Sequence, residues 1–428
     1  MMKAMRSLVW VMCLSVAAAA VSVAEELPES HTDPISHLQA RMDRAEVELK
    51  NDSTWGYLPS LLEALDIPRS SQVLVFSKTS AQFRFISPPS PRALYFNDDV
   101  YVGWVRGAPF LEISAADPGG GAVFYTLDQE PAERPRFSRD RGECLQCHET
   151  ARTFRIPGHL TRSVYPGSDG IPYFSLGTVN VDQTTDLSKR FGGWYVTGSA
   201  GEMTHRGNAT ASSAEGAAEL DAGPESAVTD LSGHFEVSNY LTPHSDIVAH
   251  LVLAHQTQMH NHIALAQIEA RRALDYRTEM VRLFGGASPD LDASVRRRIE
   301  SPSEKLVRHL LFVEEAPLQG PVRGTTSFAR EFQQEGKRDS KGRSLRDLDL
   351  TGRLFRYPCS YLIYSESFAD LPAEVKRYTY RRLREILTGP EGEDEFQHLS
   401  QGDRTAIAEI LRETLPEVAE YWGGAEAN

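Results

Sequence analysis

The stretch from Thr242 to Phe284 constrains the fold more than any other part of this chain. Thr242-Pro243-His244-Ser245-Asp246 reads as a helix start, because Ser245 is a good N-cap and Asp246 suits the positive end of the helix dipole. The helix runs to about Phe284, before Gly285-Gly286, and is long enough to cross a domain. Val248, Val252, His255, Met259, His262 and Ala266 follow the i, i+4, i+7 stripe of a buried helix face. His250 and His260 fall off that stripe and are expected to be solvated. Further helices are expected around 292–313, 372–387 and 400–414.

Upstream the hydrophobic period is two. Val73, Val75, Phe83 and Phe85 alternate with polar neighbours, and short β-rich runs follow at Ala93 to Phe96, Val100 to Val105, Phe110 to Ser114 and Ala122 to Leu127. Pro88-Pro89, Asn97-Asp98-Asp99, Gly107 and Pro118-Gly119-Gly120-Gly121 punctuate them as turns. Residues 25–66 read as helical. The fold class is therefore α+β, with a β-rich N-terminal portion and a mostly α-helical C-terminal portion. A chain of 428 residues makes two domains the prior. We expect a β-rich domain over 25–208, a flexible acidic linker rich in Ala, Ser and Gly over 209–232, and a helical domain over 233–428.

The N-terminus places Lys3 and Arg6 ahead of an apolar run from Leu8 to about Ala20, then Ser22-Val23-Ala24 before Glu25. That is the pattern of a signal peptide over residues 1–24, with a retained anchor as the lesser alternative. The chain is expected to be periplasmic or otherwise exported, and no later segment approaches the ~20 apolar residues of a transmembrane helix. Formal charge is −14, and removing Lys3 and Arg6 makes it two units more negative. Such an acidic balance argues against nucleic acid and anionic membrane as partners and favours a basic one.

Cleavage would leave three cysteines, Cys144, Cys147 and Cys359, which do not make a disulfide framework. Cys144-Leu145-Gln146-Cys147-His148 reads C-x-x-C-H. A zinc site wants four ligands, and no second pair accompanies this one. A thioredoxin-like redox pair or a plain disulfide leaves His148 without a role, and these stay as the alternatives. Covalent haem uses all three residues: two thiols add to two vinyl groups and the adjacent imidazole reaches the iron. Cys359, in an aromatic and apolar segment, reads as a buried inert thiol.

The five motif residues, and loosely Pro157-Gly158 after them, resemble c-type cytochromes. The resemblance implies one covalent haem c per chain, with Cys144 and Cys147 as thioether sites and His148 as proximal iron ligand. The rest of the chain departs from the small helical cytochromes, whose motif lies near the N-terminus, so no fold is implied. As a whole the chain resembles a family of exported bacterial monohaem proteins, a resemblance that implies no activity.

Two places offer a sixth iron ligand. A strand ending in a Gly-rich loop carries Met203 and His205, although a plain surface turn is the blander reading. The long helix carries His255, Met259 and His262; one histidine on such a face is ordinarily a satisfied core residue, but two with a methionine between them are less easily dismissed. His159 reads as pocket edge. Arg152, Arg155, Arg162 and Lys78 could pair with haem propionates, each being singly an ordinary surface cation. The helical domain is expected to pack over the haem. One-electron transfer with a redox partner protein is the expected function. The rivals are a peroxidase-like haem enzyme or gas sensor with an open sixth position, and a partner-docking protein with a structural haem.

Overall fold

The alternating runs pair as strands because each offers an apolar face to be buried. A computed structural model describes residues 32–223, 227–390 and 394–424; the expected signal peptide lies outside them. Strands β1 (Val73–Val75), β2 (Arg92–Phe96), β3 (Val100–Trp104), β4 (Phe110–Asp117), β5 (Gly121–Asp128) and β6 (Phe137–Arg139) form a meander. Two further pairs stand apart: β7 (Arg162–Ser163) with β8 (Val179–Asn180), and β10 (Gly198–Ser199) with β11 (Ala227–Val228). Between them β9 (Trp194–Tyr195) returns to β1, closing a seven-stranded antiparallel sheet of order β6-β5-β4-β3-β2-β1-β9.

Period-two alternation gives the sheet two unlike faces. Val102, Leu111, Ile113, Val123 and Tyr125 pack with α1 (Pro34–Asp43) and α2 (Leu58–Ala64) in one apolar core. Asp33 caps α1 and also accepts a hydrogen bond from the Tyr125 hydroxyl at 2.9 Å, tying that helix to β5. The opposite face carries Arg92, Phe96, Tyr101, Glu112, Ser114 and Phe124, a mixed set that needs polar partners. Arg92 and Glu112 pair with each other, Ser114 meets His159, Phe124 packs on His148 of a single helical turn, α3 (Leu145–His148), and Tyr101 takes Gln256 of the long helix α4 (Ile247–Phe284).

Beyond α4 lie α5 (Pro289–Leu310), α6 (Phe328–Gln334), α7 (Glu366–Ala369), α8 (Ala373–Thr388), α9 (Gln401–Thr414) and α10 (Pro416–Gly424). One continuous core runs from Val75, Phe96 and Trp194 of the sheet, through Val248, Val252 and Met259 of α4, to Leu306, Leu383 and Ile407 of these helices. The fold is α+β, with the antiparallel sheet in the N-terminal part and the helices α4 to α10 in the C-terminal part. Among the described residues no helix is long and apolar enough to cross a membrane.

Several local expectations are corrected. Phe83–Phe85 is a 3₁₀ turn with both rings exposed, and residues 25–66 contain, where described, only the two short helices α1 and α2. Ala211, Ala217 and Leu220 are buried beside Tyr165 and Tyr173, and Leu231 joins the core under the sheet, so the 209–232 segment does contribute packing. His250 and His260 are buried, because α4 has the sheet on one side and helices on the other. His250 Nε2 meets Ser245 Oγ and the Tyr195 carbonyl at 3.0 Å each, and His260 Nε2 donates to the Asp98 carbonyl at 2.7 Å.

Asp246 anchors the start of α4. One carboxylate oxygen accepts from Val248 N and Ala249 N, and the other from Thr325 N, Thr326 N and the Thr326 hydroxyl. Asp246→Ala removes the cap and strands two further amides, a loss of roughly 3 kcal/mol. Urea unfolding should show it as a lowered midpoint at unchanged slope; a change below about 1 kcal/mol would count against Asp246 as the anchor.

Candidate functional site

Asp140 shapes the C-x-x-C-H turn. Its carboxylate accepts from Gly142 N at 2.9 Å and Cys144 N at 3.1 Å, and the Cys144 carbonyl then accepts from Cys147 N and His148 N. Cys144 and Cys147 stand three residues apart on one helical turn and so share a face. Both are free thiols, Cys144 half-buried and Cys147 exposed. Burial, with the Asp140, Glu112 and Glu143 carboxylates beside it, pushes the Cys144 thiol up to about 12.

His148 ends the turn with its ring 4.7 Å from Phe124, a β5 side chain on the mixed face of the sheet. Its Nδ1 lies 2.9 Å from the Gly158 carbonyl. A carbonyl can only accept, so Nδ1 carries the proton and Nε2 keeps its lone pair. Nε2 has no hydrogen-bond partner among the described residues. Burial depresses the imidazole's basicity, while the Gly158 bond raises it.

The chain reaches Gly158 by folding back sharply. Thr150 caps a 3₁₀ turn over Ala151–Thr153, and Phe154 and Arg155 then both take left-handed backbone, at φ of 58° and 61°. Two such non-glycine residues in succession cost on the order of 1 kcal/mol or more each, which the surrounding hydrogen bonds must offset. Gly158 N donates back to the His148 carbonyl at 2.9 Å. Further on, the Pro157 carbonyl accepts from Ala122 N of β5, and Asn261 of α4 grips His159.

The rim beside Cys147 is cationic and apolar. Arg162 lies over Phe174, its Nε buried without a partner, and burial and Arg152 lower its pKa while Cys147 raises it. Neither Arg152 nor Arg162 has a carboxylate within ion-pairing distance among the described residues, nor do Arg155 and Lys78. Phe174 is 57% and Leu176 41% exposed, unusual for large apolar side chains.

Of the sixth-ligand candidates, the structure brings His262 to this loop: its ring packs 4.9 Å from Phe154, and its buried Nδ1 has no partner. It also stands 4.6 Å from the His309 ring. The other four make no hydrogen bond or ring contact with residues 140–162. His255 is fully buried, with Nδ1 on Gln183 and Nε2 on Ser360, so neither nitrogen is available. His205 accepts the Gly207 amide at Nδ1, which puts its proton on Nε2, the nitrogen that ligation would need bare. Met203 Sδ accepts from Gln319 N, and Met259 is enclosed in the main core. His159 is buried against Ser114 and Tyr101, and Cys359 is a buried thiol whose pKa burial raises.

Phe124, Asp140 and Asn261 escaped the sequence reading, and Gly158 entered it only through the loose Pro157-Gly158 resemblance. Asn261 had a signal: from Ile247 to Ile268 the helix carries no Asp, Glu, Lys or Arg, which no solvated face would tolerate.

The residues present fit a covalently attached haem. Two thiols share a face, an imidazole of fixed tautomer offers a free Nε2, and a half-buried guanidinium lacks a counter-charge beside an exposed apolar surface. A dithiol redox site fits less well, because such pairs depend on a lowered thiol pKa and that of Cys144 is raised. Among the described residues no group of three or more metal-ligating side chains gathers. The chain matches no protein-family model, no curated protein and no solved structure.

Two expectations follow from these environments. In the haem-free chain at pH 8, Cys144 in a Cys147→Ser background should be alkylated by iodoacetamide at least tenfold more slowly than Cys147 in a Cys144→Ser background; equal rates would mean that the Cys144 thiol is not held protonated. Burial also pulls His205, His260 and His309 down to about 4 and His250 to about 3. Their neutral forms are favoured by folding, so this stability is full above the unfolded value near 6.5 and is lost as pH falls towards 4. Asp99 and Glu315, raised to about 7 by burial, act in the opposite sense but are fewer. Urea midpoints should therefore fall between pH 6.5 and 4.5, by on the order of 1.4 kcal/mol per pH unit for each net group; a flat profile would mean that these histidines titrate normally.

Proposed function

We propose that this chain is an exported c-type cytochrome that carries one haem c and acts in one-electron transfer. Cys144 and Cys147 hold the group by thioethers and His148 supplies the proximal iron ligand through Nε2. The observation that carries the reading is the His148 tautomer, locked by the Gly158 carbonyl so that Nε2 is left bare beside two thiols on one turn. When bound, the group supplies a one-electron couple between ferric and ferrous iron. The chain's own residues do the rest. Phe124 keeps water from one face of the His148 ring, Gly158 sets the basicity of that ring, and Arg152 and Arg162 answer the propionate charge. The excess of acids over the whole chain favours a basic redox partner.

A second reading, an enzyme or gas sensor with an open sixth position, is favoured by the engagement of His205, His255, Met203 and Met259, which leaves His262 alone beside the loop.

Export in a host with haem c maturation, followed by a pyridine haemochrome assay, should give one haem per chain that survives acid-acetone extraction, and none for Cys144→Ala/Cys147→Ala. Absence of covalent haem would sink the proposal. A reduced spectrum indifferent to carbon monoxide supports the electron carrier, whereas a carbon monoxide shift in the Soret band supports the open iron.

A further inference from the structure

His148 owes its tautomer to one carbonyl, and that carbonyl is itself held from a distance. Gly158 lies between two anchored neighbours. On one side the Pro157 carbonyl accepts from Ala122 N at 3.0 Å. On the other, the Asn261 amide takes both backbone groups of His159: its Oδ1 accepts from His159 N at 2.8 Å and its Nδ2 donates to the His159 carbonyl at 2.9 Å. Asn261 is wholly buried on α4, and a Cβ at Gly158 would stand 2.5 Å from its Oδ1, so helix and loop are in direct contact. With both neighbours fixed, the Gly158 carbonyl has one direction left, towards His148 Nδ1.

We infer that Asn261 is a positioning residue for the proximal imidazole: α4 sets the His148 tautomer, and with it the redox poise of the bound group, through the Gly158 carbonyl. The redox half rests on the haem reading; the tautomer half does not. An N–H donated to a carbonyl makes the imidazole a more basic ligand, which favours ferric iron. Loosening the clamp weakens that donation, so the reduction potential should rise. A side chain serving only to fill the core would move neither quantity.

The test compares the full chain with Asn261→Ala. In the haem-free chain, nitrogen-15 NMR of the His148 ring should report mainly the Nδ1–H form in the parent and mainly Nε2–H, the form imidazole prefers in water, in the variant. In the haem-loaded chain, redox titration should show an upward shift and the ferric electron paramagnetic resonance signal a changed g-anisotropy. Arg272→Ala, exposed on the same helix, should leave all of these as in the parent. Should Asn261→Ala fail to fold, Asn261→Asp keeps the side-chain shape and the acceptor for His159 N but loses the donor to the His159 carbonyl, and carries the test. If haem never attaches, the haem reading falls and the NMR result alone decides; if the haem-free chain is unfolded, the loaded protein decides. A tautomer or potential indistinguishable from the parent overturns the inference.

Discussion

A helix buried on every side must find a partner for each polar side chain it carries, and α4 carries many. From Ile247 to Asn261 every residue is buried. Its polar side chains therefore act as fixed addresses in three surrounding parts. His250 and His260 go to the sheet, through the Tyr195 and Asp98 carbonyls. Thr257 and Asn261 go to the motif loop, at Thr161 and His159. His255 and Gln256 reach the helical layer, at Ser360 and Tyr361. Sheet, loop and helices are thus aligned on one rod, and an error in its register would leave buried groups unpaired in all three.

The sheet was legible because strand alternation and turn residues are local signals, and β2 to β5 fall where the pattern puts them. The end of α4 was legible from Gly285 and its start to within one residue: Asp246 is the N-cap, while Ser245, expected in that place, turns its hydroxyl to the Tyr195 carbonyl and Leu74 N of the sheet. Its surroundings were not. An apolar stripe marks one buried face, but here the remaining faces are also buried and use His, Gln, Thr and Asn to pair with backbone carbonyls, which a hydrophobicity pattern scores as solvated. The alanine-rich stretch after residue 209 was misread similarly. Small side chains can still pack when large neighbours such as Tyr165 and Tyr173 come to them from elsewhere in the chain.

Cys144, Cys147 and His148 stand out in the sequence by their spacing alone, and the structure sets the two thiols on one turn with the imidazole at its end. What surrounds them depends on pairing across the chain. Phe124 reaches His148 only because β5 presents it on the mixed face of the sheet. Gly158 returns to His148 only because Phe154 and Arg155 accept left-handed backbone, a choice that neither residue advertises. Bound to its neighbours, the imidazole has a defined tautomer; read alone, it is one histidine among thirteen.

The clamp on His159 joins residues 102 positions apart, and this separation has a consequence for the order of assembly. A chain that emerges from its N-terminus presents the C-x-x-C-H turn, and even the strands beneath it, well before the partner amide exists. Closing so wide a loop is a late event, since its entropy is recovered only after α4 has formed and docked. Until then the turn remains reachable by any enzyme that acts on its thiols. After docking, the same turn is held by the sheet and by α4 together. The interval in which the turn is open and the interval in which it is held are thus separated by the arrival of one asparagine.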